Sequence, residues 1–441
     1  MRFLKNSTWP RVSTIIDGFV GHQPAILEDA VTNLISNDDR ERIRAQFPAL
    51  AGDTVYLENA GGSQVPAIVA DSIRDYMLTS YVQLGAGYPL SHRATELVDE
   101  AHDFVRLMMN GEDGHVILGS STSALLLMLA GCYARVLDEG AEIVVARTGH
   151  EANVGPWKKL ASLGLELRWW EMDADTFECP LSDLENLLSD RTALVAFPHV
   201  SNLLGEIVDI ERITSLAHEA GARVVVDGVA YAPHRAIDVS AWNVDWYAYS
   251  TYKVYGPHMA ALWGRRDALA ELPGPNHFFI PDEELPYKFE VGGANHEGCA
   301  GILGLRDYLA NLVGETDPQA LDRPAIERAF EIMTACELPL QARLIEYLQS
   351  RDDVRIIGPT DDGVSRVGTI SFVHDSKSSA EITAAVDRSG IGIRHGHMYA
   401  YHLCEAAGLD PEDGVVRTSL VHYNTLEEIE RLIEVFDAVL G

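Results

Sequence analysis

The chain is poor in features that would pair covalently, cross a membrane or hold nucleic acid. Its five cysteines (Cys132, Cys179, Cys299, Cys336, Cys404) are odd in number and widely spaced, with no Cys-x-x-Cys pair. That argues against a disulfide framework and a cysteine-ligated zinc site, and no metal is expected. A reducing, cytoplasmic compartment fits such usage. The longest apolar run, residues 124–131, is far shorter than a bilayer span. Lysine and arginine total 34 against 66 acidic residues, a formal charge of −32. Without clustered basic residues there is no electrostatic footprint for nucleic acid or an anionic membrane. Repeats and low-complexity segments are missing too. Residues 1–30 lack the apolar stretch of a signal peptide and are expected to form an extension.

What is present is a long chain with a large apolar share, 441 residues and 47%. That is enough for more than one domain around a substantial core. Between residues 116 and 250, short β-branched runs alternate with amphipathic stretches. Strands are expected at 116–118, 142–146, 165–171, 192–198, 223–226 and 246–250, with helices between them and an earlier helix at 96–109. This alternation predicts an α/β fold, a mainly parallel sheet covered by helices on both faces. After about residue 320 a long helix, two strands and a final helix predict a small C-terminal α+β domain. The expected division is 1–50 (extension and helix, packing on the small domain), 51–300 (large domain) and 301–441 (small domain).

Ligands in parallel sheets bind beyond the carboxyl ends of the strands, and four features fall there. Gly119-Ser120-Ser121-Thr122-Ser123 opens a helix, either as a phosphate cup or with an ordinary capping serine. Asp227 closes a buried strand, as a partner for a protonated ring nitrogen or as a turn aspartate. His150 follows another strand, to stack on a planar ring or to serve the structure. Lys253 sits among Tyr249, Ser250, Thr251, Tyr252 and Tyr255, either desolvated or exposed on a loop. One cofactor accounts for all four. Pyridoxal 5′-phosphate (PLP) requires a lysine for its Schiff base, an aspartate for its pyridine nitrogen and a helix start for its phosphate.

The ordered segments 56–62, 149–153, 199–205, 227–228, 250–257, 289–295, 417–420 and 423–425 carry a further likeness. Together they resemble the class V aminotransferase family of PLP enzymes, which includes the cysteine desulfurases. The resemblance runs from about Tyr56 to the C-terminus and implies the PLP-dependent fold type I, with a seven-stranded sheet. It implies that Lys253 binds the cofactor and moves the α-proton, that Asp227 pairs with the ring nitrogen, and that His150 stacks on the ring. It gives the phosphate to Ser121, Thr122, Ser250 and Tyr252, the last standing where the family usually has histidine. Asn202 would serve both cofactor and substrate, and Arg417 would grip the substrate's α-carboxylate. Gly293 and Asn295 lie in a loop that reaches a partner's phosphate in the family, so a homodimer with shared sites is expected.

Two departures stand out. The desulfurase segment Arg-x-Gly-x-x-Cys reads Arg394-His395-Gly396-His397-Met398-Tyr399 here, with tyrosine in place of the sulfur-accepting cysteine. Ala230 replaces a polar residue that contacts the ring's 3′-oxygen, which leaves Asn202 and His234 to cover it. Arg394 and His397 would then meet the substrate at the site's mouth, or lie on a solvated loop. The expected chemistry is elimination (C–S or another β-lyase) or transamination on a small amino acid. Epimerisation is the alternative, and a non-catalytic PLP-binding protein a further one.

Overall fold

The structure, a computed structural model, describes residues 35–441, so the extension expected over 1–30 lies outside the described residues. Helix α1 (Asn37–Arg44) starts at a capping box. The Ser36 hydroxyl accepts from the Asp39 N–H, and Asp39 accepts from Ser36 in return. Arg40 then donates to the Cys336 carbonyl, and Arg44 to the Tyr423 carbonyl and the Glu428 carboxylate. Strand β1 (Val55–Tyr56) pairs in parallel with the late segment Ile391–Gly392.

Helices α2 (Ala67–Thr79) and α3 (Pro89–Met108) follow. Helix α3 begins earlier than the expected residue 96. Pro89 occupies its first position, where a fixed φ helps and a missing N–H costs nothing. Its inner face buries Ala94, Val98, Ala101, Phe104, Val105 and Met108, whereas Leu97 is only partly covered.

The main sheet contains β2 (Gly114–Gly119), β3 (Glu142–Ala146), β4 (Glu166–Trp170), β5 (Thr192–Pro198), β6 (Arg223–Asp227), β7 (Trp246–Ser250) and β8 (Ala260–Arg265). Their order is β2-β8-β7-β6-β5-β3-β4. All neighbours run parallel except β8, which is antiparallel to both β2 and β7. Strand β8 is absent from the strands expected by patterning. Its six residues include Gly264. In the sheet a Cβ there would meet the Trp246 ring at 2.4 Å, so glycine is what lets the two strands pair.

Helices α4 (Thr122–Tyr133), α5 (Gly155–Leu160), α6 (Leu181–Leu187), α7 (Ile210–Glu219) and α8 (Arg266–Glu271) intervene. Alternate strand residues enter separate cores. Val144, Val195, Val224 and Val226 face one side, and Ile143, Val145, Leu194, Ala196 and Val225 the other. Burial on both faces is why these strands read as continuous apolar runs.

Residue 300, the expected domain limit, falls inside α9 (His296–Leu312), which packs on α2 so closely that a Cβ at Gly304 would meet the Val69 Cα at 2.8 Å. The change of core comes later, within α10 (Arg323–Gln349). Ala325 through Leu338 join the large core, and Leu340 through Leu348 join a separate one, with Pro339 between them. That second core covers a sheet of β9 (Val354–Ile357), β10 (Thr369–His374), β12 (Arg394–Gly396) and β13 (Val415–Ser419), all antiparallel. Helices α11 (Ser379–Asp387), α12 (Tyr401–Ala406) and α13 (Leu426–Leu440), with β11 (Ile391–Gly392), complete this unit.

Candidate active site

The carboxyl ends of β5, β6 and β7 and the start of α4 enclose one cleft, lined by Ser121, Thr122, His150, Asn202, Asp227, Ser250, Tyr252 and Lys253. Eight of the residues singled out from sequence therefore converge. Ala230, expected beside the ring's 3′-oxygen, and Ser123 of the helix-opening segment also line it, with Val200 and Val229, whose only sequence signal was adjacency to those eight.

Lys253 ends a single 3-10 turn, Thr251–Lys253, directly after β7. The turn is held from both sides. The Thr251 hydroxyl donates to the Pro257 carbonyl at 2.6 Å, and the Tyr255 hydroxyl to the Pro233 carbonyl at 2.8 Å. Burial lowers the Lys253 amine to about 8; Arg417 adds to the effect and Asp227 opposes it. The exposed-loop alternative is therefore gone. Burial raises the Asp227 carboxyl, against a 2.9 Å hydrogen bond from the Val229 N–H and the nearby lysine. Gly228 is required behind it, because a Cβ would strike the Tyr247 ring at 2.1 Å.

His150 accepts the Ala152 N–H on Nδ1 at 3.0 Å, which leaves its proton on Nε2. Burial, with Lys253, Arg417 and His397 nearby, drives it down to about 3, so the ring is neutral. Ser121 caps α4 by accepting the Ala124 N–H at 3.2 Å, and it lines the cleft as well. The Thr122 and Ser250 hydroxyls lie 2.8 Å apart. Beside them the first N–H groups of α4 have no intrahelical acceptor.

Arg417 on β13 is buried and donates through Nη1 to the Asn202 carbonyl at 3.1 Å. Its Nε and the Asn202 Oδ1 are both buried without partners. The Asn202 amide donates to the Met398 carbonyl at 2.9 Å, and the Glu151 N–H to the Tyr399 carbonyl at 2.8 Å. These bonds tie the 398–399 segment to the residues at the edge of the cleft, with the Tyr399 side chain largely exposed. Met398 and Tyr399 both have positive φ, 42° and 63°, a strained backbone of the kind that persists at working sites. The Tyr399 ring lies 5.3 Å from the His150 ring.

Other expected residues lie elsewhere. His234 does not reach the cleft; it is buried and paired with Glu337 at 2.9 Å, so Asn202 alone of the two can cover a ring oxygen. Arg394 is exposed and ion-paired with Glu58, and His397 donates nothing to the cleft wall but accepts the Tyr399 N–H. Gly293 and Asn295 do not line the cleft of their own chain. The Asn295 side-chain oxygen caps α9, and Gly293 has a φ of 84°. Cys404 is fully buried in α12, with its thiol pushed up to about 11.

This donor set fits PLP. The cleft offers an amine, a buried carboxylate that needs a cationic partner, a neutral imidazole, and hydroxyls beside a helix start. The orphaned Asn202 Oδ1 and Arg417 Nε supply polar contacts that no protein group uses.

Comparison with known proteins agrees. The aminotransferase class-V family model matches residues 55–432. The chain is 39% identical to an aminotransferase-like protein, FGM3, of Gibberella zeae, covering 91% of this chain and 98% of that one. It is 30% identical to a cysteine desulfurase of Serratia proteamaculans, covering 89% and 96%. The apo structure of a cysteine desulfurase from Thermococcus onnurineus superposes with a TM-score of 0.80 at 26% identity, covering 91% and 98%. With a family match across most of its length and this set of groups in one cleft, the chain belongs to the class V aminotransferase family of PLP-dependent, cysteine desulfurase-like enzymes.

Proposed function

We propose that the enzyme removes the α-proton and a β-substituent from a small amino acid, without passing sulfur through a protein persulfide. The observation that carries this reading is the phenol of Tyr399 held beside His150, where desulfurases have cysteine. A phenol can give a proton to a leaving group and cannot accept sulfur. None of the five cysteines lines the cleft.

When bound, PLP supplies a protonated pyridine ring that draws electrons away from the substrate's α-carbon. Asp227 keeps that nitrogen protonated by pairing with it. His150 is neutral, so it can cover the ring without adding charge. Thr122, Ser250 and the start of α4 hold the phosphate. Arg417, buried behind Asn202, is the guanidinium assigned to the substrate's α-carboxylate. The Lys253 amine takes the α-proton at Nζ, and the Tyr399 phenol protonates the departing β-group. The Asn202 amide, bonded to the Met398 carbonyl, fixes the segment that carries Tyr399 next to the cleft.

The test is to titrate the holoenzyme with amino acids bearing a β-leaving group while following its visible absorbance and its products. Pyruvate, ammonia and the released group should form in equal amounts with no keto acid added, and Lys253→Ala should abolish both band and products. A strict requirement for a keto-acid acceptor would replace elimination with transamination, the second reading that the name of the Gibberella zeae relative favours. Deuterium entry at the α-carbon without either product would indicate an epimerase.

A further inference from the structure

Packing does not fix Tyr399. Its ring is largely exposed, so the backbone that carries it has to be held in place beside His150. Two bonds do part of this, from the Asn202 amide to Met398 and from the Glu151 N–H to Tyr399. The next residue, Ala400, opens α12 and is buried with Leu403 and Cys404, so position 399 follows that helix.

α12 has a tie of its own to the large unit. His402 meets Lys158 of α5, Nε2 to Nζ, at 2.8 Å. An ammonium has hydrogens to give and no lone pair to accept with. Nε2 is therefore the acceptor, and the ring's hydrogen sits on Nδ1, which donates to the Glu405 carboxylate at 3.0 Å. Lysine, histidine and glutamate form one chain of donors running the same way. Trp169 on β4 flanks it, its ring 4.9 Å from the His402 ring and 5.8 Å from the Lys158 ammonium. The same indole takes the Arg147 guanidinium at 4.0 Å, which Glu171 neutralises. Lys158 lies on the helix that directly follows the turn Glu151–Asn153, and that turn starts at His150.

We propose that Lys158 and His402 are positioning residues for Tyr399. Their hydrogen bond fixes α12 to the stretch that carries His150, and so holds the phenol at the mouth of the cleft. Neither side chain lines the cleft, so both act through the segment between them. The consequence for turnover rests on the Tyr399 reading given above; the tie itself does not.

Hydrogen exchange of the holoenzyme, followed in peptides covering 149–153 and 397–402, tests the tie without any substrate. Lys158→Met and His402→Leu should each lower protection there about fivefold. Because the two residues share one bond, the double variant should lose no more than either single one. His402→Gln keeps an acceptor for the ammonium and should restore protection, which a merely space-filling ring would not require. Unchanged protection in Lys158→Met, additive losses, or no rescue by glutamine would each overturn the proposal. Lys158→Met leaves α12 itself unaltered, so misfolding of His402→Leu would not hide the result. With the amino acid selected by the titration above, kcat should fall in the two single variants while KM stays. Lost protection with full kcat, where Tyr399→Phe is impaired, would overturn the positioning role. A fully active Tyr399→Phe would instead refute the proton-donor reading, and exchange alone would then decide whether the pair holds the segment.

Discussion

Lys253 shows what burial does to one side chain. At the usual lysine value near 10.5 almost none of its amine would be free at neutral pH, and burial brings it to about 8. Its charged form is disfavoured in the fold, so the free amine is populated as pH rises through about 8 rather than two units higher. Capture of PLP by the apoenzyme should therefore accelerate with a midpoint near pH 8, measured as growth of the visible band after mixing. A midpoint near 10 would mean the amine is solvated. The identity of this lysine was legible from its neighbours Ser250, Thr251 and Gly256; its desolvation was not, because Arg417, which helps depress it, arrives from a strand more than 160 positions away. His234 misled for the opposite reason. Nearness in sequence to Asp227 and Ala230 suggested a cofactor contact, yet Glu337 on α10 claims its ring.

Elements place these side chains, and their ends matter more than their middles. Ser121 caps α4 and faces the cleft, so Ser121→Ala should cost about 1 kcal/mol of stability by chemical denaturation. The same change should weaken PLP binding, seen as faster cofactor loss on dialysis. Stability that falls with cofactor affinity unchanged would leave Ser121 a cap alone. A second junction joins α3 to β2. Glu290 accepts from the Leu118 N–H at 2.7 Å and meets the His102 Nε2 at 2.8 Å. Burial pulls the His102 ring down, but the Glu290 carboxylate outweighs it and leaves the ring above its ordinary 6.5. A raised value means the pair stabilises fully below about pH 6.5 and loses that contribution as pH climbs through the folded value. The stability lost in His102→Gln, on the order of 1 kcal/mol, should be larger at pH 6 than at pH 9 in urea unfolding. An equal loss at both would leave packing alone to explain it.

At the scale of the whole molecule, α10 passes from one core into the other, with Pro339 at the change. Proline removes one helical hydrogen bond there. A homodimer remains the expected assembly, and exposed apolar side chains support it. Phe278 is 99% exposed, Phe279 65% and Val291 60%, on the stretch leading to Gly292 and Gly293. Solitary exposure of such residues is ordinary, but adjacent exposed phenylalanines on the stretch before that loop suit a partner. Light scattering should give twice the chain mass, and Phe278→Asp should shift it toward the monomer with loss of visible absorbance. A monomeric, fully absorbing enzyme would remove the shared-site expectation.

By itself the sequence determined the alternating strands and helices, the strand-end positions of Asp227 and Lys253, and the missing cysteine at Tyr399. These are local matters, set by periodicity, turn chemistry and residue type over a few positions. Only the tertiary structure decided that β8 runs between β2 and β7, that the core changes at Pro339, that the Arg417 charge acts on Lys253, and that the Tyr399 ring lies beside His150. Each of those depends on groups far apart in the chain, and their energies exist only once burial has stripped the water from between them.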